Sequence, residues 1–272
     1  MQHISSREAL SALNDRLVSE TTSASVDELE KLGDELLGVA GVLIANPVLR
    51  RTLTESSTEL DGRARMVHRL FDGKVSDQVV ELLDDAVRRP WASGADLREA
   101  IQRLGRTALF LSAERQDRLD RVEDELFRFG RIVEGSPQLS VLLDDPAGDP
   151  QARVALVTRL LDGRADRLTV ALLNSSAGEV NGRSFSHRIR DLVDQAAERR
   201  NELVADVTAA ASLDSSQQQR LSAALQRLYG RPVAVHIEVD PALLGGMRIK
   251  VGEEVIDGSA AGRLAALGRS LG

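Results

Sequence analysis

The sequence predicts a mostly α-helical protein in which two tandem helical bundles, related by duplication, precede a small α+β C-terminal domain with a β-hairpin. Three observations support this fold class. Apolar residues recur at helical spacing through residues 5–201, and within that part the chain matches itself at a shift of about 90 residues. After residue 201 the apolar pattern changes to the alternation that is typical of β-strands.

Three pairs of matching segments define the duplication, and they keep the same order and spacing. The pairs are LEKLGDELL from Leu29 with LDRVEDELF from Leu119, NPVLRRTL from Asn46 with SPQLSVLL from Ser136, and RMVHRLFDG ending at Gly73 with VALVTRLLDG ending at Gly163. In each copy a proline opens a short helix, at Pro47 or Pro137, and the glycine ends a later one. We therefore predict the same helical bundle twice.

Helical spacing places the elements of each copy. In the first copy we predict helices at 5–19, 26–45, 47–55, 62–72 and 76–89, followed by a long helix at 95–113. In the second copy we predict helices at 117–134, 137–144, 151–162, 165–177 and 184–201. Because LREAIQRLGRTALFLSA contains no turn signal, we expect helix 95–113 to close the first bundle and open the second. The two bundles then occupy residues 1–113 and 95–201.

The remaining residues, 202–272, form the predicted α+β domain. LVADVTAA alternates as a strand, and a capping box of Asp214 and Gln217 begins a helix that ends at Gly230. A second strand follows in VAVHIEV, residues 233–239, with its alternate apolar side chains on one face.

The stretch LLGGMRIKVGEEVIDGS, residues 243–259, predicts a β-hairpin. The strands MRIKV and EVI are joined by a type II′ turn, which needs glycine at its first central position, here Gly252. Gly245 and Gly246 allow the backbone to bend or to approach a neighbour closely. We therefore interpret these glycines as structural.

A final helix is expected after the hairpin. Ser259 follows the Asp-Gly pair and is placed to cap this helix. Leu264, Leu267 and Leu271 share one face of it and form an apolar stripe. The tail is thus predicted to be a hairpin that leads into a docking helix.

Glycine-rich phosphate-binding motifs do not fit the chain. A P-loop requires GxxxxGK[ST], but the Gly73-Lys74 pair is followed by Val75 and lacks the upstream glycine. A dinucleotide fingerprint requires GxGxxG between a strand and a helix, which Gly245-Gly246 does not provide. We therefore expect no nucleotide site and no cofactor.

Composition excludes several further classes of function. The chain has no cysteine, which removes disulfides, iron–sulfur clusters, thiolate zinc sites and cysteine nucleophiles. The net charge is -7, with acids and arginines interspersed, so nucleic acid is not expected as a partner. No secretory signal and no apolar run of about 20 residues occurs. We expect a soluble, cytosolic chain without membrane insertion.

The histidines give no metal-binding pattern. His3, His68, His187 and His236 lie on separate predicted elements and form no HExxH motif, so we expect no metal site. His236 alternates with the apolar face of its strand and is expected to face solvent.

Two acidic pairs leave two interpretations open. Asp84-Asp85 and Asp144-Asp145 have the chemistry of acid–base groups or magnesium ligands. Both pairs also lie near predicted helix ends, where aspartate is common for capping.

Trp91, the single tryptophan, lies in RRPWASG between two predicted helices. An exposed aromatic ring beside arginines is a candidate anchor for a partner helix. The alternative is a loop aromatic that folds onto the bundle.

The tail LLGGMRIKVGEEVIDGSAAGRLAAL closely resembles the C-terminal signature of the delta (OSCP) subunit family of F-type ATP synthases. That signature combines a Gly-Gly pair, a hairpin, Val-Ile-Asp-Gly-Ser and a leucine-spaced helix. The matching residues are Gly245, Gly246, Gly252, Val255, Ile256, Asp257, Gly258, Ser259 and Leu264. The resemblance extends back through the second copy and covers about residues 104–271, whereas the additional first copy resembles the elongated delta subunits of actinobacteria.

The resemblance implies a non-catalytic stator component at the cytoplasmic face of the membrane. In this family the helical part grips N-terminal segments of alpha subunits, and the C-terminal part holds the distal end of the b stalk. Some elongated relatives are fused to a membrane-anchored b segment, so the chain is either free-standing or part of such a fusion. Two other hypotheses stay open: a nucleotide-binding regulator that uses the tail glycines, and a generic helical adaptor.

Overall fold

The computed structural model describes residues 3–55, 57–179, 182–201, 203–230, 233–241, 243, 245–251 and 254–258. The helices are α1 (Ile4–Glu20), α2 (Val26–Ala45), α3 (Pro47–Thr52), α4 (Leu60–Phe71), α5 (Asp77–Arg88), α6 (Gly94–Arg115), α7 (Leu119–Glu134), α8 (Pro137–Asp144), α9 (Pro150–Leu161), α10 (Arg167–Ala177), α11 (Phe185–Asn201) and α12 (Ser215–Tyr229). The strands are β1 (Leu203–Ala209), β2 (Val233–Val239), β3 (Met247–Val251) and β4 (Glu254–Asp257). The predicted fold class, mostly α with a small C-terminal α+β part, is confirmed.

Two helix ends differ from the prediction for clear reasons. Helix α3 ends at Thr52 and not at residue 55, because Leu53 turns into the core, where it is 2% exposed. Helix α7 begins at Leu119 and not at residue 117, because Asp117 has a φ of 56°, in the left-handed region. The other ends agree with the prediction to within two residues.

The duplication recurs in the geometry of the chain. Gly73 after α4 and Gly163 after α9 adopt φ values of 70° and 65°, so both copies use the same left-handed glycine to end the same helix. Helix α6 corresponds by sequence to both α1 and α11. It contacts α2, α3 and α5 of the first copy and α7 and α10 of the second. The division into bundles at 1–113 and 95–201 stays a prediction.

In each copy, a buried arginine at the corresponding position donates to backbone carbonyl oxygens near the ends of neighbouring helices. Arg63 donates to the carbonyl oxygens of Val87, at 3.2 Å, and Glu55, at 2.7 Å. In the second copy Arg153 donates to the corresponding carbonyls of Ala177 and Asp145, each at 3.0 Å. Both side chains are almost fully buried. The bonds to Val87 and Ala177 satisfy carbonyl groups at the C-terminal ends of α5 and α10, and the bonds to Glu55 and Asp145 fix the segments that follow α3 and α8.

Helices α2 and α6 cross at a pair of glycines. A Cβ added at Gly33 would lie 3.0 Å from the carbonyl oxygen of Gly105 and 2.7 Å from Leu109 Cδ2. A Cβ at Gly105 would in turn lie 3.0 Å from the Gly33 oxygen. Only hydrogen at both positions permits this approach of the two backbones.

The chain divides into two compact units, Met1–Leu17 with Ser23–Arg200, and Val18–Thr22 with Asn201–Gly272. The C-terminal unit contains a four-stranded mixed sheet in the order β2-β1-β3-β4. Strand β1 pairs parallel with β2 and antiparallel with β3, and β3 pairs antiparallel with β4. Helix α12 connects β1 to β2 and buries Leu225 against the sheet. The predicted capping box of Asp214 and Gln217 is confirmed.

Candidate docking surfaces

The hairpin of the C-terminal unit has the predicted strands. Val251 is paired with Glu254, so two residues connect β3 to β4, as a two-residue turn requires. Gly252 lies outside the described residues. Ser259, Leu264 and the rest of the predicted last helix also lie outside them.

The glycine pair before β3 changes the direction of the backbone. Gly245 and Gly246 adopt φ values of 80° and 81°, a region that favours glycine strongly. The Ala210 N–H donates to the Gly246 carbonyl oxygen at 3.2 Å, which continues the ladder between β1 and β3 by one bond. The pair therefore provides a bend, one of the two roles that the sequence left open.

Strand β4 is one edge of the sheet, and its side chains differ in exposure. Val255 is 54% exposed, whereas Ile256 packs against the sheet core. Asp257 lies 3.8 Å from Arg248 across the strand pair. The Gly258 N–H donates to the Met247 carbonyl oxygen at 2.9 Å, where a Cβ would approach that oxygen to 3.2 Å. Among the described residues, β4 thus pairs on one side only and carries an exposed apolar side chain, a feature that a partner segment can cover.

Trp91 does not have the exposure that a partner anchor needs. It is 9% exposed, and its indole N–H donates to the Ala86 carbonyl oxygen at 2.7 Å. The ring caps the C-terminal end of α5 from the following loop. Of the two interpretations of Trp91, the structure shows the loop aromatic that folds onto the bundle.

The acidic pairs are occupied by ion pairs and helix ends. Asp84 lies 2.9 Å from Arg88, and Asp85 lies 3.0 Å from Arg89. In the second copy Asp144 accepts the Phe185 N–H at 2.5 Å and thereby caps α11. The Asp144 contact corresponds to the capping alternative, whereas Asp84 and Asp85 form ion pairs along α5.

His68 and His187 each lie beside an aspartate four residues further along the chain. His68 lies 3.0 Å from Asp72, and His187 lies 3.7 Å from Asp191. The side chain of His236 lies outside the described part. Across the described residues, no three histidine or acidic side chains come together as a set that could hold a metal ion.

An apolar groove opens between α9 and the end of α10. It has a volume of about 280 Å³ and is lined by Pro150, Gln151, Val154, Ala155 and Gly178. The lining is almost entirely apolar, which suits the apolar face of an amphipathic segment.

The corresponding place in the first copy has different side chains. There Arg88 occupies the position of Gly178, and its guanidinium lies 2.8 Å from Asp61, which occupies the position of Gln151. This ion pair joins α5 to α4. The sequence analysis did not single out the groove, because the missing side chain at Gly178 becomes informative only after the two copies are aligned residue by residue.

Several large apolar side chains are also exposed elsewhere on the helical unit. Val48 on α3 and Val141 on α8 are 80% and 70% exposed, and Leu142 is 59% exposed. Within the described part of the chain, no helix combines the length and apolarity needed to cross a bilayer.

The fold defines a class of protein: a helical unit with an internal sequence repeat and a small mixed-sheet unit, with exposed apolar surfaces on both. A sequence profile of the family described as ATP synthase delta (OSCP) subunit matches residues 106–271. The chain belongs to the ATP synthase delta (OSCP) subunit family.

Individual relatives agree with this assignment over nearly the whole chain. ATP synthase subunit delta of Streptomyces avermitilis is 44% identical over 96% of this chain and 96% of that protein. ATP synthase subunit b-delta of Mycobacterium sp. (strain KMS) is 41% identical over 96% of this chain, which spans 59% of that longer protein. A chain of the Toxoplasma gondii mitochondrial ATP synthase hexamer is 23% identical over 61% of this chain, with a TM-score of 0.26, a similarity too low to bear on function.

Proposed function

We propose that this protein is a non-catalytic peripheral-stalk subunit that joins the alpha/beta head of an ATP synthase to its b-type stalk. The observation that carries the proposal is family membership, with 44% identity over 96% of the chain to a delta subunit. The task of such a subunit is adhesion under torque, so that the head stays still while the rotor turns. Slow dissociation under load is expected from buried apolar contacts.

The C-terminal unit is proposed to hold the b-type stalk. In the described part of the sheet, β4 is an edge strand that presents Val255, where an added segment can satisfy backbone groups and cover an apolar side chain. The signature residues Gly245, Gly246, Gly252, Ile256, Asp257, Gly258, Ser259 and Leu264 are proposed to shape or contribute to this docking region. The b-delta relative supports b as a partner, since its name joins b and delta in one protein.

The helical unit is proposed to grip the N-terminal segments of alpha subunits. An amphipathic helix can place its apolar face in the groove beside Val154 and Gly178. We propose the second copy for this contact, because the corresponding place in the first copy contains the Arg88–Asp61 ion pair. In this arrangement the subunit is peripheral, on the cytoplasmic face of the membrane, and carries out no reaction of its own.

The test is calorimetric titration of two probes into the full chain: a peptide of the alpha-subunit N-terminal segment and the soluble part of the b subunit, both from the same synthase. Val255→Asp is expected to weaken b binding more than about tenfold, since a buried charge is costly, and to leave alpha binding unchanged. Val239→Asp is the matched control, because Val239 is 45% exposed on the opposite edge strand, β2. Failure of the wild-type chain to bind either probe would contradict the proposal.

A nucleotide-binding regulator is the rival hypothesis. It requires measurable affinity of the chain for ATP through the tail glycines. Equilibrium dialysis with labelled ATP is expected to show no binding, and a micromolar dissociation constant that depends on Gly245 or Gly246 would favour the rival.

A further inference from the structure

One arginine of the second copy lies between two helices without an acidic partner. Arg106 on α6 donates from Nε to Ser175 Oγ at 3.1 Å and from a terminal nitrogen to Ser176 Oγ at 2.8 Å, both on α10. The side chain is half-buried. Among the described residues it forms hydrogen bonds to these two hydroxyls and no ion pair with a carboxylate.

The first copy shows the same arginine with acidic partners. Arg16 on α1 corresponds to Arg106 and lies 3.3 Å from Asp85 and 3.7 Å from Glu81, both on α5. In the second copy the positions of these acids are taken by Ser175 and Ala171. Both copies therefore have the arginine, but the second copy has neither of the two carboxylates that pair with it in the first.

Neighbouring charges do not replace the missing carboxylates. Glu179 is paired with Arg98, and Arg103 lies 2.5 Å from Glu198. Burial lowers the pKa of Arg106 to about 10; the charges of Glu179 and Asp191 oppose this shift, and the positive charges of Arg98 and Arg103 add to it. Asp191 itself lies 3.3 Å from Arg183. A cation in such a place is stabilised strongly by any carboxylate that reaches it, because the local dielectric constant is lower than that of water.

We propose that Arg106, flanked by the hydroxyls of Ser175 and Ser176, is a receptor for one aspartate or glutamate side chain of a partner protein segment that docks across α6 and α10. A guanidinium has five N–H donors, and the two serines use two of them, so donors remain for a carboxylate. The partner is an amphipathic segment of opposite charge to Arg106. This inference rests on the proposed function, in which that segment belongs to an alpha subunit.

The same geometry excludes the first copy as a second receptor. Asp85 already serves Arg16 and Arg89, at 3.3 and 3.0 Å. An incoming carboxylate would meet Asp85 and Glu81 and be repelled. The charge pattern thus favours the α6–α10 contact of the second copy over the corresponding α1–α5 contact of the first.

The experiment measures binding of the full-length chain to the alpha/beta head of the same synthase, depleted of its own delta subunit. Arg106→Gln is expected to weaken binding by about 10–100-fold, the range for loss of a charge-assisted hydrogen bond. Arg106→Lys should recover part of this loss. Arg16→Gln is the matched control and should bind as the wild type does. Unchanged binding by Arg106→Gln would overturn the inference.

A second variant tests the inference with Arg106 intact. Ser175→Asp supplies an internal carboxylate at the position of Asp85, so it should raise the melting temperature or leave it unchanged while weakening head binding as much as Arg106→Gln does. Normal binding by Ser175→Asp would overturn the proposal that Arg106 receives a carboxylate of the partner. If the wild-type chain itself does not bind the head, the proposed function fails together with this inference; if the wild type binds and the variants bind equally well, only this inference fails.

Discussion

The two copies of the helical repeat share a set of buried hydrogen bonds and differ on the surface of one helix. Arg63 and Arg153 make the same buried hydrogen bonds, and Glu35 and Glu125 accept the backbone N–H of the residue before α5 and α10. The outer positions of α5 carry Arg88, Asp85 and Glu81, which form ion pairs with neighbouring helices. The same positions of α10 are Gly178, Ser175 and Ala171.

This difference separates the buried contacts that stabilise the fold of each copy from the surface positions proposed to bind a partner. Buried contacts recur because each copy must satisfy the same backbone groups at the same helix ends. The outer side chains of α5 form ion pairs with other helices of the chain. In the second copy an apolar groove lies beside α10, and among the described residues Arg106 of α6 faces α10 without a carboxylate partner. We therefore propose docking for the second copy and a supporting role for the first.

The largest expected effect concerns what the copies share. Arg63→Leu and Arg153→Leu should each lower the free energy of unfolding by about 3 kcal/mol, because each leaves one buried and at least one partly buried carbonyl oxygen without its donor. Urea unfolding followed by circular dichroism measures this. A loss below about 1 kcal/mol in either variant would show that Arg63 and Arg153 do not have equivalent roles in the two copies.

The crossing of α2 and α6 is a feature that the repeat does not share, since Glu123 and Gln195 occupy the corresponding positions. Gly33→Ala should destabilise the chain by about 1–3 kcal/mol, because the new methyl group would meet a backbone oxygen. Gly38→Ala, on the same helix, is the matched control. It has open space around the added Cβ, so it should stabilise the helix by up to about 1 kcal/mol. Equal effects in thermal unfolding would refute the close crossing.

Glu125 gives a prediction that depends on pH. Burial acts to raise the pKa of Glu125, but hydrogen bonds from Thr169, Arg121 and the Asp166 N–H outweigh it, so the pKa is lowered. A lowered pKa in the folded state stabilises the fold at pH values above the unfolded pKa of about 4.3, and this contribution is lost as the pH falls through the folded pKa.

Glu125→Gln should therefore cost about 1–2 kcal/mol at pH 7. The difference from the wild type should stay constant down to about pH 5 and shrink at lower pH. Urea unfolding between pH 7 and 3.5 measures it, and a difference that grows on acidification would contradict the sign.

The smallest effect on stability is expected where the copies differ most. Gln151→Asp together with Gly178→Arg restores the ion pair of the first copy, and exposed pairs contribute only about 0–1 kcal/mol. Binding of the alpha-subunit N-terminal peptide should nevertheless fall sharply, because the arginine side chain would occupy the groove. Retained binding in a titration would show that the groove is not the docking site.

Helix periodicity, proline and glycine signals and the self-match predicted the fold well, because these features act locally along the chain. The predicted end of α3 at residue 55 was wrong, because the chain leaves the helix at Leu53, which packs into the core. The start of α7 lies two residues after the predicted one, since Asp117 adopts a left-handed conformation.

The docking features were harder to predict. Arg153, Gly178 and Arg106 are ordinary residues for a helical protein, and their meaning depends on what faces them across a helix pair. Trp91 drew attention as a rare residue, yet its indole N–H is used to cap a helix. Residue-by-residue comparison of the two copies is the sequence signal that would have found the differences at Gly178 and Ser175.

The most direct test of the division between the copies is hydrogen exchange of the full chain, followed by mass spectrometry, with and without the alpha-subunit N-terminal peptide. The account predicts slower exchange in α10 (Arg167–Ala177) and in the part of α6 around Arg106, with no change in α5 (Asp77–Arg88). Protection of α5 without protection of α10 would contradict it.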